Sequence, residues 1–154
     1  MMLEPGDKLP DVMLKDKDGV DFALADHAGK PMVVYFYPKA DTPGCTNEAK
    51  DFTELGADFS AIGVPVIAVS KDKPAKLAKF ADKYGLTVKL ASDEPGTACE
   101  AFGTWVEKSL YGRKYMGIAR ATFLFRADGT IAQVWPKVKV KGHAAEVLEA
   151  AKAL

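Results

Sequence analysis

Two nearly unbroken apolar runs constrain this chain more than any other feature: "PMVVYFYP", apolar from Met32 to Tyr37, and "GVPVIAVS", Gly63 to Ser70. A strand with one face in water alternates apolar and polar residues, and neither run alternates. Runs of this length and β-branched content are strands buried on both faces, as in a parallel sheet covered by helices. Between them Ala49, Phe52, Leu55 and Phe59 recur at helical spacing, which predicts a connecting helix. A β-α-β unit is the nucleus of the fold.

The flanking segments extend that unit. Asp11 to Leu24 reads as a β-hairpin turning at Asp18-Gly19. After Ser70, Leu77, Phe80, Ala81 and Tyr84 form one stripe of a helix, with Gly85 as its stop. "TVKLASD" reads as a short strand, "GTACEAFG" as a short helix and "YGRKYMGIA" as a loop. "RATFLFRADGTIAQVW" is a second hairpin around Asp128-Gly129. Ala144, Val147, Leu148, Ala151 and Leu154 mark the buried face of a C-terminal helix. A βαβ half followed by a ββα half is the layout of a thioredoxin-like α/β sandwich, with a mixed central sheet and here an N-terminal β-hairpin. No linker, repeat or shift of composition divides the chain, so residues 1–154 are expected to form one domain.

Composition narrows the function by exclusion. Lys+Arg and Asp+Glu both number 21, a net charge of zero that gives no drive toward nucleic acid or an anionic membrane. The N-terminal residues carry charges throughout and no run reaches transmembrane length, so a soluble protein of a reducing, cytoplasmic compartment is expected. Cys45 and Cys99 are too few for a disulfide framework, and His27 and His143 stand at no ligand spacing to them. No metal and no cofactor are expected. His143 reads as a surface residue at a helix start, His27 as a loop residue, and Trp105 and Trp135 as packing residues. The alternation of lysine and valine in "PKVKVKGH" reads as an extended edge with its charges in water rather than a docking patch.

Cys45 stands apart. In "DTPGCTNEAKDF", Thr42 suits the N-cap, its hydroxyl able to accept from a first-turn amide, and Pro43 suits the first helical position. Cys45 then falls at the third position, facing unpaired amides and the positive end of the helix dipole, both of which favour a thiolate. Ala49 and Phe52 follow at i+4 and i+7, so the sulfur starts on the buried side of the helix. It sits beyond the C-terminal end of the "MVVYFYP" strand, where ligand sites of open α/β sheets gather. A free cysteine at such a place is either a reactive thiol or an inert gap-filler.

The segment "YPKADTPGCTNEA" resembles the active-site signature of the peroxiredoxins, Pro-x-x-x-Thr-x-x-Cys, here Pro38, Thr42 and Cys45. Its Thr-Pro-Gly-Cys-Thr form is most similar to the bacterioferritin-comigratory, or Q-type, subgroup. The similarity runs from "GDKLPD" through "RATFLFRADGTIAQVW" to the last helix. The resemblance implies a thiol peroxidase on a thioredoxin-like fold. It implies Cys45 as the peroxidatic cysteine, Thr42 as a hydrogen-bond partner of the peroxide and Pro38 as a shield of the sulfur from water. Arg120 matches the active-site arginine, and Glu48 the acid that orients it. Read without the resemblance, Arg120 is a surface charge, Pro38 a strand terminator and Glu48 a solvated first-turn acid.

The implied reaction is attack of the Cys45 thiolate on the O–O bond of hydrogen peroxide or an organic hydroperoxide, giving a sulfenic acid. A free cysteine is only about 3% thiolate at pH 7, so full ionisation gains at most roughly 30-fold, about 2 kcal/mol. The remainder has to come from donors aimed at the departing oxygen. Many Q-type members carry a resolving cysteine five residues after the peroxidatic one, where this chain has Lys50, and the next helix holds none. Cys99 is the one remaining candidate; its other reading is an inert packing residue beside Ala98, Ala101 and Phe102. A one-cysteine mechanism follows, with thioredoxin, glutaredoxin or a low-molecular-weight thiol as external reductant, and a monomer as the expected unit. Glu48 at the fourth position of Cys45-x-x-Glu48 argues against a thiol–disulfide oxidoreductase, which needs a cysteine pair. A stoichiometric redox sensor or holdase is the rival of another class.

Overall fold

The computed structural model describes residues 1–154. The two apolar runs become the centre of its sheet. Strand β3 (Met32–Phe36) is buried along its whole length and pairs in parallel with β4 (Val66–Ser70). Period-2 alternation divides β3 between two cores. Val33, Tyr35 and, just beyond the strand, Tyr37 face one; Met32, Val34 and Phe36 face the other.

Seven strands form the mixed sheet, in the order β2-β1-β5-β4-β3-β8-β9. The N-terminal hairpin, β1 (Met13–Asp16) and β2 (Asp21–Ala23), joins one side through antiparallel pairing of β1 with β5 (Lys89–Ser92). The second hairpin, β8 (Ala121–Phe125) and β9 (Ile131–Trp135), closes the other side, with β8 antiparallel to β3. Helices α1 (Pro43–Glu54), α3 (Pro74–Tyr84) and α5 (His143–Lys152) bury Phe52, Leu77, Phe80, Val147 and Leu148 in the core that contains Tyr35. The short α4 (Thr97–Phe102) covers the opposite face, where Phe102 meets Phe36 and Phe123. This is the thioredoxin-like sandwich with a mixed central sheet. No helix is long and apolar enough to cross a membrane.

Four expectations need correction. The helix read from Ala49 through Phe59 is broken: α1 ends at Glu54, Leu55 leaves helical geometry (ψ 6°), and α2 (Gly56–Ala61) starts again at a glycine. "YGRKYMGIA" is not a loop. Arg113–Ile118 is strand β7, paired with β6 (Trp105–Leu110) in a separate two-stranded sheet. Tyr111 and Gly112 both have positive φ, the geometry of a two-residue type I′ turn. Leu154 is exposed rather than on the buried face of α5. His143 is not at the surface; it is 5% exposed, packed between Phe52 and Trp135. The lysines of the 137–141 segment point to water while Val138 and Val140 are half-buried, in line with a solvated extended segment.

Candidate active site

The site forms where β3 ends. The chain leaves Tyr37, passes exposed Pro38 and turns into α1 at Thr42. Two staples hold this loop. Asp72, just past β4, accepts from the Ala40 amide at 2.7 Å and from the Ser70 hydroxyl at 2.8 Å. Asp41, at φ 62°, accepts from the Tyr84 hydroxyl at 2.5 Å and pairs with Lys83 at 3.0 Å, both at the end of α3. Nothing in the local sequence marks these partners; they are 32 and 42–43 residues away.

Thr42 occupies the N-cap in extended geometry, and its carbonyl accepts the first helical bond from Thr46 at 2.8 Å. Its hydroxyl does not cap the helix as expected. It donates instead to the Lys39 carbonyl at 2.8 Å. The first-turn amides are thus left without a side-chain cap, and the hydroxyl keeps its lone pairs for another donor. Cys45 lies at the third helical position, 2% exposed, on the inner face with Ala49 and Phe52.

Arg120 reaches this sulfur through strand register. Phe36 pairs with Ala121 across β3 and β8, so the residue before β8 stands beside the end of β3. From there the guanidinium places Nη2 3.3 Å from Cys45 Sγ and Nη1 2.7 Å from Glu48 Oε1. Its backbone carbonyl is held by the Val138 amide at 3.1 Å. Glu48 is 1% exposed, one turn along α1 from Cys45, so the solvated-acid reading does not describe it. Burial pushes its carboxyl up to about 7, against the pull of Arg120. Arg120 loses from burial but is held above its usual value by Cys45 and Glu48.

Gly44 is a contributor that the motif alone did not expose. A Cβ there would lie 3.2 Å from Arg120 Nη2, so the missing side chain is what lets the guanidinium approach the helix. Cys99 is brought to neither group. It is fully buried in the core on the far side of the sheet, its amide donating to Asp93 at 2.7 Å, and burial followed by Asp93 holds its thiol well above the ordinary range. The sheet stands between the two sulfurs, so a Cys45–Cys99 disulfide is foreign to this arrangement. No group of three or more His, Cys, Asp or Glu side chains is placed to hold a metal ion.

Arg120, Glu48, Thr42 and Cys45 thus gather one sulfur, one cation, one buried acid and one hydroxyl at a strand-to-helix turn. Similar proteins share the whole chain. The AhpC/TSA family pattern matches residues 5–134. The peroxiredoxin Bcp of Bacillus subtilis is 43% identical over 99% of this chain and 97% of its own. Peroxiredoxin Q of Xylella fastidiosa superposes with a TM-score of 0.94 at 36% identity, covering 99% of this chain and 98% of its own. The Xanthomonas campestris bacterioferritin comigratory protein, solved as trapped-intermediate and ligand complexes bearing on its alkyl peroxide reduction activity, gives 0.88 at 40% identity over 96% and 98%. With its sequence matched nearly end to end and its sheet superposed, this chain belongs to the AhpC/TSA family, as a peroxiredoxin of the bacterioferritin-comigratory, or Q, type.

Proposed function

We propose that this thiol-dependent peroxidase works through Cys45 as its peroxidatic residue, with Arg120, Thr42 and Glu48 as the surrounding machinery. The observation that carries the reading is the forked contact of Arg120, one nitrogen on the sulfur and the other on Glu48. A cation beside the sulfur favours its anionic form, and uncapped amides at the start of α1 act in the same sense.

In the reaction, the Cys45 thiolate attacks the terminal oxygen of R–O–O–H. The S–O bond forms and the O–O bond breaks, giving Cys45–S–OH and RO⁻, which takes a proton to leave as ROH, or water where R is hydrogen. Charge moves from sulfur to the departing oxygen. Arg120 stands at the sulfur where that charge begins, and in this reading its donors follow the charge onto the departing oxygen and bind the transition state more tightly than the ground state. The Thr42 hydroxyl, its own proton on Lys39, is free to accept from the peroxide O–H. Pro38, exposed where β3 ends, is the outer wall.

A one-cysteine cycle fits the position of Cys99 on the far face of the sheet. An external thiol attacks the sulfenic acid, releasing water and forming a mixed disulfide; a second thiol then frees the Cys45 thiolate. A monomer is the proposed working unit, to be checked by light scattering, and the need for a thiol supply suits the cytoplasm. The alkyl peroxide activity of the Xanthomonas relative makes alkyl hydroperoxides candidate substrates beside hydrogen peroxide.

The test is turnover of each peroxide with thioredoxin, glutaredoxin and small thiols as donors. Wild type and Cys99→Ser should turn over alike, and Cys45→Ser not at all. After one equivalent of peroxide without thiol, mass spectrometry should find a dimedone-reactive sulfenic acid. A loss of two hydrogens with no free thiol would instead restore Cys99 as resolving residue. A single stoichiometric burst with every donor would make the protein a sensor rather than a peroxidase.

A further inference from the structure

Three buried side-chain polar atoms of the chain lack a hydrogen-bond partner: the hydroxyls of Tyr35 and Tyr37 and Oε2 of Glu48. They lie together. Tyr35 and Tyr37 point from β3 into the core that holds Cys45, their rings 5.9 Å apart. Tyr35 stacks at 4.6 Å on Phe52, which is one turn along α1 from Glu48. The charges of Cys45 and Glu48 are felt at both hydroxyls, and at Tyr37 that of Asp72 is felt more strongly than either. Ser70 of β4 approaches Tyr37, but its proton goes to Asp72 at 2.8 Å and no well-formed bond to Tyr37 results.

Buried polar groups are nearly always satisfied, so three orphans within electrostatic reach of one another around one core point to a site. Phenylalanine would fill the same space at no polar cost. The ligand has to be small, and it has to accept from two hydroxyls while donating to a carboxylate. Water does both. We propose that Tyr35, Tyr37 and Glu48 Oε2 hold a buried water behind Cys45, through which the two tyrosines act as positioning residues that keep Glu48 ionised and Arg120 aimed at the sulfur. This rests on the peroxidase reading above.

The electrostatics support it. Burial drives Glu48 toward its neutral form, and Arg120 opposes that drive from Oε1 alone. Asp51 on the same helix adds to the drive. The other groups facing the pair are Cys45 on α1, Lys108 on β6, which feels both Arg120 and Cys45, and His143 on α5, which burial keeps neutral. None of these donates to Oε2. A water anchored by two phenols is the donor on that side. Without it Glu48 takes up a proton at higher pH, and its hold on Nη1 weakens from an ion pair to a neutral hydrogen bond.

The experiment compares wild type, Tyr35→Phe, Tyr37→Phe and the double variant. The rate with peroxide and the alkylation of Cys45 by iodoacetamide are both measured against pH. The acid limb of the peroxide rate should move upward by about half a pH unit or more in the double variant, by more than any movement of the alkylation midpoint. A purely structural role would change melting temperature and leave that limb in place. Superimposable rate profiles, or a melting temperature that rises in both single variants as for hydroxyls buried without any partner, would overturn the proposal. Should the double variant fail to fold, the single variants and a high-resolution crystal structure decide: an ordered water on all three atoms supports it, a dry site refutes it. Absence of peroxide turnover in the wild type would sink the peroxidase reading itself, a distinct result.

Discussion

Arg120 gives its two terminal nitrogens to different side chains, Cys45 Sγ and Glu48 Oε1, and only a planar fork spans both at 3.3 and 2.7 Å. Arg120→Lys keeps the charge and loses the fork. We expect kcat/KM for peroxide to fall about 100-fold, the order seen when one oxyanion donor is removed. Near wild-type turnover would take Arg120 out of the mechanism. Gly44→Ala tests the same contact from the other partner. Alanine is the better helix former, by up to about 1 kcal/mol, so the variant should melt no lower than wild type. Its Cβ, 3.2 Å from Nη2, displaces the guanidinium by a few tenths of an ångström, and a loss of about tenfold in peroxide rate is expected. Stability and activity moving together would show that the space above Gly44 is not what matters.

At the scale of elements, local signals set the type of most segments, and packing revised the ends and one hairpin. β3 and β4 were legible because burial on both faces leaves unbroken apolar runs. The β6–β7 hairpin was not, because it has little core to write a pattern: Leu110, Tyr111, Tyr115 and Met116 are all exposed. Its turn carries Tyr111 at φ 51° where asparagine would have announced it. His143 was misplaced for a related reason. A polar residue at the start of α5 reads as solvated, whereas it closes a bond of 2.8 Å to Thr122 of β8. Burial lowers its ionisation to about 4, from an ordinary 6.5. The unfolded chain therefore takes up a proton that the folded one refuses. Stability from this residue is complete above pH 6.5 and is lost as pH falls toward 4, by at most roughly 3 kcal/mol. In urea denaturation at stepped pH, the advantage of wild type over His143→Gln should stay constant above 6.5 and shrink across that window. A constant difference at all pH values would show that His143 ionises normally.

Across the whole molecule, the sheet is one wall shared by two cores. β3 sends alternate residues to each, so loss of either core removes half of its burial. We infer that residues 1–154 unfold as one unit. Trp135 packs against the core of Cys45 and Trp105 against that of Cys99. Single-tryptophan variants, Trp105→Phe and Trp135→Phe, should give coincident denaturation midpoints, each corrected for its own stability by circular dichroism. Separated transitions within one variant would divide the chain into two units. The same wall explains why the two cysteines look eligible as partners in the sequence and are not neighbours in space.

The amino-acid sequence by itself determined the kinds of segment in the main sheet and its helices and the placing of Cys45 in the first turn of α1, because periodicity and helix starts depend on residues a few places apart. The likeness of "YPKADTPGCTNEA" to a family signature named the site's members without their geometry. Only the tertiary structure decided that Arg120, 75 residues from Cys45, meets it at bonding distance. It also decided that Glu48 is buried, that Cys99 faces away and that two tyrosine hydroxyls lie unpartnered in the core that holds Cys45. Those outcomes follow from the register of β8 on β3 and from which face of the sheet each helix covers. Register and face are collective properties of packing, and no short stretch of the chain encodes them alone.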